Sequence, residues 1–246
     1  MRSTLLAFLL VLAIAAGALA AGVGDSPTAY PAKGGSYVGV RPTATGLPQT
    51  GTSGTYGAGE IVKTLREYHD SFRYGNDVGH VNTAARAYLD SRLNAWSTKR
   101  TPAVVLDIDE TSLSNYAGLV ATGFTQVGNV INPVSASGRA IQSTLAFYKH
   151  ARARKVAVFF ITGRPPQIAS ITAVNLLNEG YNAGWDGLFT KPTDAGTAQF
   201  KSSTRASIEQ RGYDIVANIG DQESDLDGGH ADRAFKLPNP FYFIPD

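Results

Sequence analysis

The sequence predicts an α/β protein, a Rossmann-like parallel sheet with helices on both faces. Three observations predict it. Short apolar runs at 103–106, 156–161, 187–189 and 215–219 are continuous rather than alternating, as in strands buried on both faces. Helical stretches at 137–153, 165–179 and 200–211 separate them, and such alternation implies parallel order. Three of the runs end in polar, reactive residues, where parallel sheets place ligands, just outside the carboxyl ends of their strands.

Taken in order, residues 5–20 are apolar or small throughout, and Arg2 is the only charged side chain before Asp25. The run is shorter than the roughly 20 residues of a spanning helix and ends in Ala18-Leu19-Ala20, the small-x-small pattern of a signal-peptidase site. A secretory signal over 1–20 is therefore expected, leaving a secreted chain with no membrane attachment after cleavage. Residues 21–57 are rich in Gly, Pro, Ser, Thr and Ala with only Asp25, Lys33 and Arg41 charged, and they read as a flexible linker. From Glu60, Ile61, Leu65, Tyr68 and Phe72 recur at helical spacing, and Val78, Val81, Ala85, Leu89 and Leu93 continue the stripe. A break at Gly75-Asn76-Asp77 divides this into helices over 59–74 and 78–96. The strand and helix runs follow, and 235–238 adds an edge strand. The folded unit is 58–246.

Composition narrows the function. The chain has 246 residues, a formal net charge of +2, 43% hydrophobic and 17% charged residues, and no cysteine. That apolar fraction excludes a disordered chain, and the balanced charge gives no broad basic surface for a nucleic-acid polymer. Without cysteine there are no disulfides, no thiolate metal sites, no thiol catalysis and no lipid-bearing cysteine.

The chemistry gathers at the strand tips. The first run ends Asp107-Ile108-Asp109-Glu110-Thr111, the second Thr162-Gly163-Arg164, and the fourth Gly220-Asp221-Gln222-Glu223-Ser224-Asp225. Strand residues two apart share a direction, so Asp107 and Asp109 can crowd one site. Like charges ~4 Å apart in an effective dielectric of about 20 repel by roughly 4 kcal/mol. With Asp221 and Asp225 added, a proton or a cation must balance them. An all-oxygen set suits Mg²⁺ before Zn²⁺. Thr162 and Gly163, at a strand-to-helix turn, can cradle an anion. Lys191 and Lys201 are the candidate cations, Lys201 at the start of a helix leading into the fourth strand. His69, His80, His150 and His230 match no metal spacing and read as helix-surface or loop residues.

These residues resemble the haloacid dehalogenase-like phosphohydrolase superfamily, whose four motifs they match in order. Residues 107–111 match the D-x-D-x-T form, 161–164 the second motif, Lys201 the third and 220–225 the fourth. More narrowly, Gly-Asp-Gln-x-Ser-Asp-Leu at 220–226 and Phe235-Lys236-Leu237-Pro238-Asn239-Pro240 are similar to secreted acid phosphatases of the class B and plant vegetative storage protein type. Bacterial lipoprotein phosphatases belong to the same group. The resemblance runs from about Glu60 to the end. Thr162-Gly163-Arg164 follows the plant form of the second motif, and the lipobox cysteine of the lipoproteins is missing.

The resemblance implies a Mg²⁺-dependent acid phosphatase acting on small phosphomonoesters. Asp107 would attack phosphorus to give an aspartyl-phosphate, and Asp109 would serve as general acid and then base. Thr162, Lys201 and amides near Ile108 and Gly163 would hold phosphoryl oxygens. The Asp107 carboxylate, the Asp109 carbonyl and Asp221 would bind Mg²⁺, with Asp225 orienting metal-bound waters or Lys201. It also implies a small, mainly helical cap, built from 58–100 and the insert 112–150. Tyr116, Phe124, Phe147 and Tyr148 of the insert either stack on a leaving group or, the preferred reading, fill a small core. A 5′-nucleotidase and a non-catalytic storage or binding protein on the same scaffold are the alternatives.

Overall fold

The computed structural model describes residues 28–32, 35–39, 58–125 and 133–243. The expected signal and much of the expected linker lie outside them. A seven-stranded sheet runs in the order β1-β2-β9-β8-β3-β6-β7. Its strands are β1 (Thr28–Ala32), β2 (Gly35–Gly39), β3 (Thr101–Leu106), β6 (Ala157–Thr162), β7 (Gly187–Thr190), β8 (Tyr213–Gly220) and β9 (Arg233–Lys236). Only β1 pairs antiparallel. A small ribbon, β4 (Leu113–Ser114) with β5 (Arg139–Ala140), follows the first strand tip.

From β3 the chain moves outward through β6 to β7, then returns to place β8 on the opposite side of β3. The topological switch point therefore lies between β3 and β8, where an open α/β sheet has its crevice. Register brings the neighbouring tips level: Leu106 lies opposite Phe160 on β6 and Ile219 on β8. Asp107, Thr162 and Asp221 thus leave the sheet side by side.

Both faces are covered. On one, Val104, Leu106, Val158, Phe160 and Ile219 pack with residues of α2 (Arg73–Asn94), α4 (Gln142–Ala153) and α5 (Ala169–Asn178). On the other, Ala103, Val105, Phe159 and Ile161 pack against Ile208 of α6 (Thr197–Gln210). Strand alternation puts Asp107 in step with Ala103 and Val105, on the α6 face. Among the described residues no helix is long and apolar enough to cross a membrane.

Four expectations are corrected. The helical break falls at Ser71-Phe72, between α1 (Ala58–Asp70) and α2, with Phe72 at φ 65°, and not at Gly75-Asn76-Asp77. Asp77 is buried and accepts a hydrogen bond from Tyr68 at 2.7 Å, so tertiary contact overrides the local breaker signal. Two strands fall inside the expected linker: β2 adds its backbone to the otherwise open edge of β9, a contact that needs no apolar pattern. For the same reason β9 is an inner strand rather than an edge. Finally, the proposed cap divides. Helices α2 and α4 belong to the layer on the sheet, whereas α1 and α3 (Tyr116–Ala121) pack beside the site, where His69 stacks on Tyr116 and Arg66 reaches Val120 O.

Leu89, fully buried where α2 meets the sheet, tests this layer. Leu89→Ala is expected to lower unfolding stability by about 2–5 kcal/mol in urea titration, whereas a helix in a detached cap would show less than about 1 kcal/mol of change in the same titration.

Candidate active site

Asp107 continues β3 by one residue, its N–H donating to Ile219 O at 3.0 Å. Its side chain meets α6. Lys201, Thr204, Arg205 and Ile208 are the buried positions of that helix, one stripe at helical spacing. Lys201 Nζ donates to Asp107 Oδ1 at 2.5 Å and also to Asp225 Oδ1. An ammonium near a helix amino terminus opposes the macrodipole, so the carboxylates and not the helix account for its place. Asp225 belongs to the short α7 (Glu223–Leu226), and its other oxygen accepts the Gln222 N–H at 2.8 Å. Asn218 and Arg205 hold the Asp225 carbonyl at 2.9 and 2.6 Å. Gly220 permits this packing, because a Cβ there would overlap the Asp225 side chain.

Asp221 completes an acidic cluster. Carboxylate oxygens of Asp107, Asp221 and Asp225 lie within 4.8 Å of one another, all three residues being buried. Asp221 accepts from Thr111 Oγ1 at 3.1 Å, Gln222 Nε2 at 2.6 Å and Asn239 Nδ2 at 2.7 Å. Burial and the nearby Asp225 carboxylate push its carboxyl up to about 6, against the pull of Lys236 and of the Gln222 and Asn239 bonds. Burial and Asp225 likewise drive the Asp107 carboxyl well above the carboxylate range, with Lys201 opposing. For Lys201 burial alone would lower the ammonium, but Asp107 and Asp225 outweigh it and hold the ammonium above the usual lysine range. Three crowded carboxylates against one bridging ammonium leave negative charge to be balanced, and an all-oxygen donor set of this kind fits a hard divalent cation.

Asp109 is absent from that cluster. Period-two alternation ends with β3: beyond it the chain turns, Glu110 at φ 51° and Asp109 bridging to Leu113. The Asp109 carboxylate instead sits in the fork of Arg164, with Nη2 at 2.8 Å from Oδ1 and Nε at 3.1 Å from Oδ2, while Asn115 Nδ2 donates to Oδ1 at 2.6 Å. Burial would raise its carboxyl, but Arg164 and Asn115 hold it below the usual range as the anion. Thr162 Oγ1 accepts the Arg164 N–H at 3.1 Å, joining the second strand tip to the same group. At Gly163 a Cβ would meet open space. Ile108 is fully buried at the turn, and its carbonyl accepts the N–H groups of Ser112 and Leu113, both at 2.8 Å.

Of the two candidate lysines, Lys201 reaches the cluster. Lys191 turns away, its Nζ on Ala195 O at 2.8 Å. Phe147 and Tyr148 are core residues, Tyr148 packed on Phe160 and Tyr181. Tyr116 and Phe124 instead join His69, Tyr74 and Phe241 in an aromatic cluster. Arg164, Asn115, Arg205 and Asn239 carry contacts that the motif reading does not assign to them. Arg164 and Asn239 stand inside quoted motifs without an assigned role, and Arg205 lies one helical turn after Lys201.

A family model for HAD superfamily, subfamily IIIB (acid phosphatase), matches residues 55–245. The chain is 33% identical over 198 residues to the stem 28 kDa glycoprotein of Glycine max, spanning 75% of each protein. It is also 33% identical to acid phosphatase 1 of Solanum lycopersicum, again over 75% of each. With vegetative storage protein 1 of Arabidopsis thaliana it shares 28% identity over 76% of this chain and 68% of that one. Among solved structures, the class C acid phosphatase from Bacillus anthracis with tungstate bound superposes with a TM-score of 0.62 at 21% identity, covering 76% of this chain and 86% of that chain.

Lys201→Met removes the bridging cation and leaves Asp107 and Asp225 buried together. In metal-free buffer this is expected to destabilise the fold by about 3–5 kcal/mol in urea unfolding, whereas a loss under about 1 kcal/mol, the range of a surface pair, would show that the bridge is not buried in solution.

Proposed function

The chain belongs to the HAD superfamily, subfamily IIIB, the acid phosphatases, and from that premise we propose that it is a secreted, Mg²⁺-dependent phosphatase of small phosphomonoesters working through an aspartyl-phosphate. The observation that carries the reading is the bridge of Lys201 between Asp107 and Asp225, with Asp221 beside them, at the switch point of the sheet. The apolar run 5–20 ending in Ala18-Leu19-Ala20 supports export.

Asp107 is the nucleophile. Lys201 holds one of its oxygens, fixing the carboxylate at the end of β3. In the first step an Asp107 oxygen bonds to phosphorus, the ester P–O bond breaks, and the leaving oxygen takes a proton from Asp109. In the second, water attacks phosphorus, gives its proton to Asp109 and releases Asp107 with inorganic phosphate. The Arg164 fork holds Asp109 in its basic form, the form the second step requires. For the first step the incoming phosphoryl oxygens compete for the guanidinium, loosening the fork so that Asp109 carries a proton. Thr162, Lys201 and the amides of Ile108 and Gly163 hold the equatorial oxygens. The Asp107 carboxylate, the Asp109 carbonyl and Asp221 would hold Mg²⁺, with Asp225 beside them, and the bound cation offsets repulsion between an anionic nucleophile and an anionic substrate.

A storage role is the second reading, favoured by the similarity to a vegetative storage protein. The complete set of Asp107, Asp109, Thr162, Lys201, Asp221 and Asp225 supports catalysis instead.

The purified protein is expected to hydrolyse an aryl phosphate and to lose that activity in EDTA, with recovery on adding Mg²⁺. Asp107→Asn should lower kcat by on the order of 10³-fold or more, and Asp109→Asn by about 10²–10⁴-fold, both with the fold intact by circular dichroism. Near-normal turnover by Asp107→Asn would remove it as nucleophile, and inactivity of the intact wild type on a panel of phosphomonoesters with Mg²⁺ would favour storage.

A further inference from the structure

The C-terminal segment 237–242 reaches the site at points that the catalytic reading leaves unused. Leu237 N–H donates to Gly220 O at 2.8 Å, continuing the β8–β9 pairing past the last strand residue. Asn239 follows, between Pro238 and Pro240, whose rings fix φ on either side. Its Oδ1 accepts the Phe241 N–H at 3.0 Å, so the amide nitrogen is the atom turned to Asp221 Oδ2, at 2.7 Å. Phe241 packs against Tyr74 and Tyr116, with ring centroids 5.0 and 5.3 Å away. Tyr242 OH then donates to Glu110 Oε2 at 3.1 Å. Glu110 in turn accepts the Asn115 N–H at 2.5 Å, and Asn115 holds Asp109. The strap is thus tied to two loops that carry catalytic acids.

Counting lone pairs on Asp221 shows what the tie does. Asp221 is only 2% exposed. Its Oδ2 accepts from Gln222 and Asn239, which fills both in-plane positions of that oxygen. Among the described residues its Oδ1 accepts the longer bond from Thr111, at 3.1 Å, and keeps room for a further partner. Two donors on one oxygen also prevent the carboxylate from rotating. Gln222 is the chain neighbour of Asp221, so Asn239 is the donor that holds Oδ2 from outside its own loop, while Thr111 reaches Oδ1 from the first strand tip.

We infer that Asn239 is a positioning residue for divalent-cation binding: it holds Oδ2 of Asp221 so that Oδ1 faces the acidic cluster, and it makes the C-terminal segment part of the active site. The inference rests on the metal-dependent reading above. Nothing in the motif resemblance assigns Asn239 a role.

Isothermal titration of the full chain with MgCl₂ tests it. Asn239→Ala is expected to weaken Mg²⁺ binding about 10- to 100-fold, the effect of losing a partner that orients a ligand. Its kcat should fall at low Mg²⁺ and recover as Mg²⁺ is raised, with KM for an aryl phosphate unchanged. A purely structural role would lower activity at every Mg²⁺ concentration and leave the affinity alone. Should Asn239→Ala not fold, Asn239→Ser keeps an acceptor for the Phe241 N–H, loses the amide donor, and is expected to show the same loss of affinity. Wild-type affinity in either folded variant overturns the role of Asn239 alone. Absence of Mg²⁺ binding to the wild type overturns both this inference and the metal-dependent reading.

Discussion

The structure is organised around an electrostatic problem: three buried carboxylates have oxygens within 4.8 Å of one another, and a single ammonium bridges two of them. Removing a carboxylate from water is costly, and removing several together is tolerable only with compensating charge and donors. Each nearby feature supplies some of that. Lys201 bridges Asp107 and Asp225, Gln222 and Asn239 load Asp221, and the backbone at Gly220 makes way for the Asp225 side chain. Arg205 ties down the loop behind the cluster by donating to the carbonyls of Asp225, Asp227 and Gly229. The charge that remains is what the proposed cation would balance.

The second constraint is separation. Asp107 and Asp109 stand two residues apart but occupy different environments. The first has its carboxyl driven up by burial and like charge, and the second is kept anionic by Arg164 and Asn115 despite burial. Two carboxyls whose surroundings push them in opposite directions can take different roles in one reaction. β3 ends at Leu106 and the chain bends at Ile108, so strand alternation no longer holds between the two acids. The chain's exit from the strand therefore separates the acid that joins the cluster from the one that faces the guanidinium.

Much of this was legible in the sequence because its signals are local. Continuous apolar runs mark parallel strands, and the residues after them mark the crevice, so Asp107, Thr162 and Asp221 could be placed at one sheet edge before any coordinates. Lys201 was legible as one of two candidate lysines and, through the motif resemblance, as the third motif, since its place at the start of a helix does not by itself say which side chain turns inward. Contacts between distant segments left no such mark. Arg164 and Asn239 stand inside the motifs that carry the resemblance, but nothing local says that one meets Asp109 and the other Asp221. The helix break at Phe72 was missed because burial of Asp77 outweighs the local preference of Gly75-Asn76-Asp77 for a turn. The β1–β2 hairpin was missed because an open sheet edge recruits backbone whatever the side-chain pattern.

The acidic cluster is proposed to hold a divalent cation. Thermal unfolding of the full chain across a Mg²⁺ titration measures this without reference to catalysis, because a ligand that binds only the folded state raises Tm with its concentration. The wild type should show a saturable rise in Tm with Mg²⁺ at constant ionic strength, and Asp221→Asn should show little or none. A wild-type Tm that does not respond to Mg²⁺, or an equal response in Asp221→Asn, would contradict the claim.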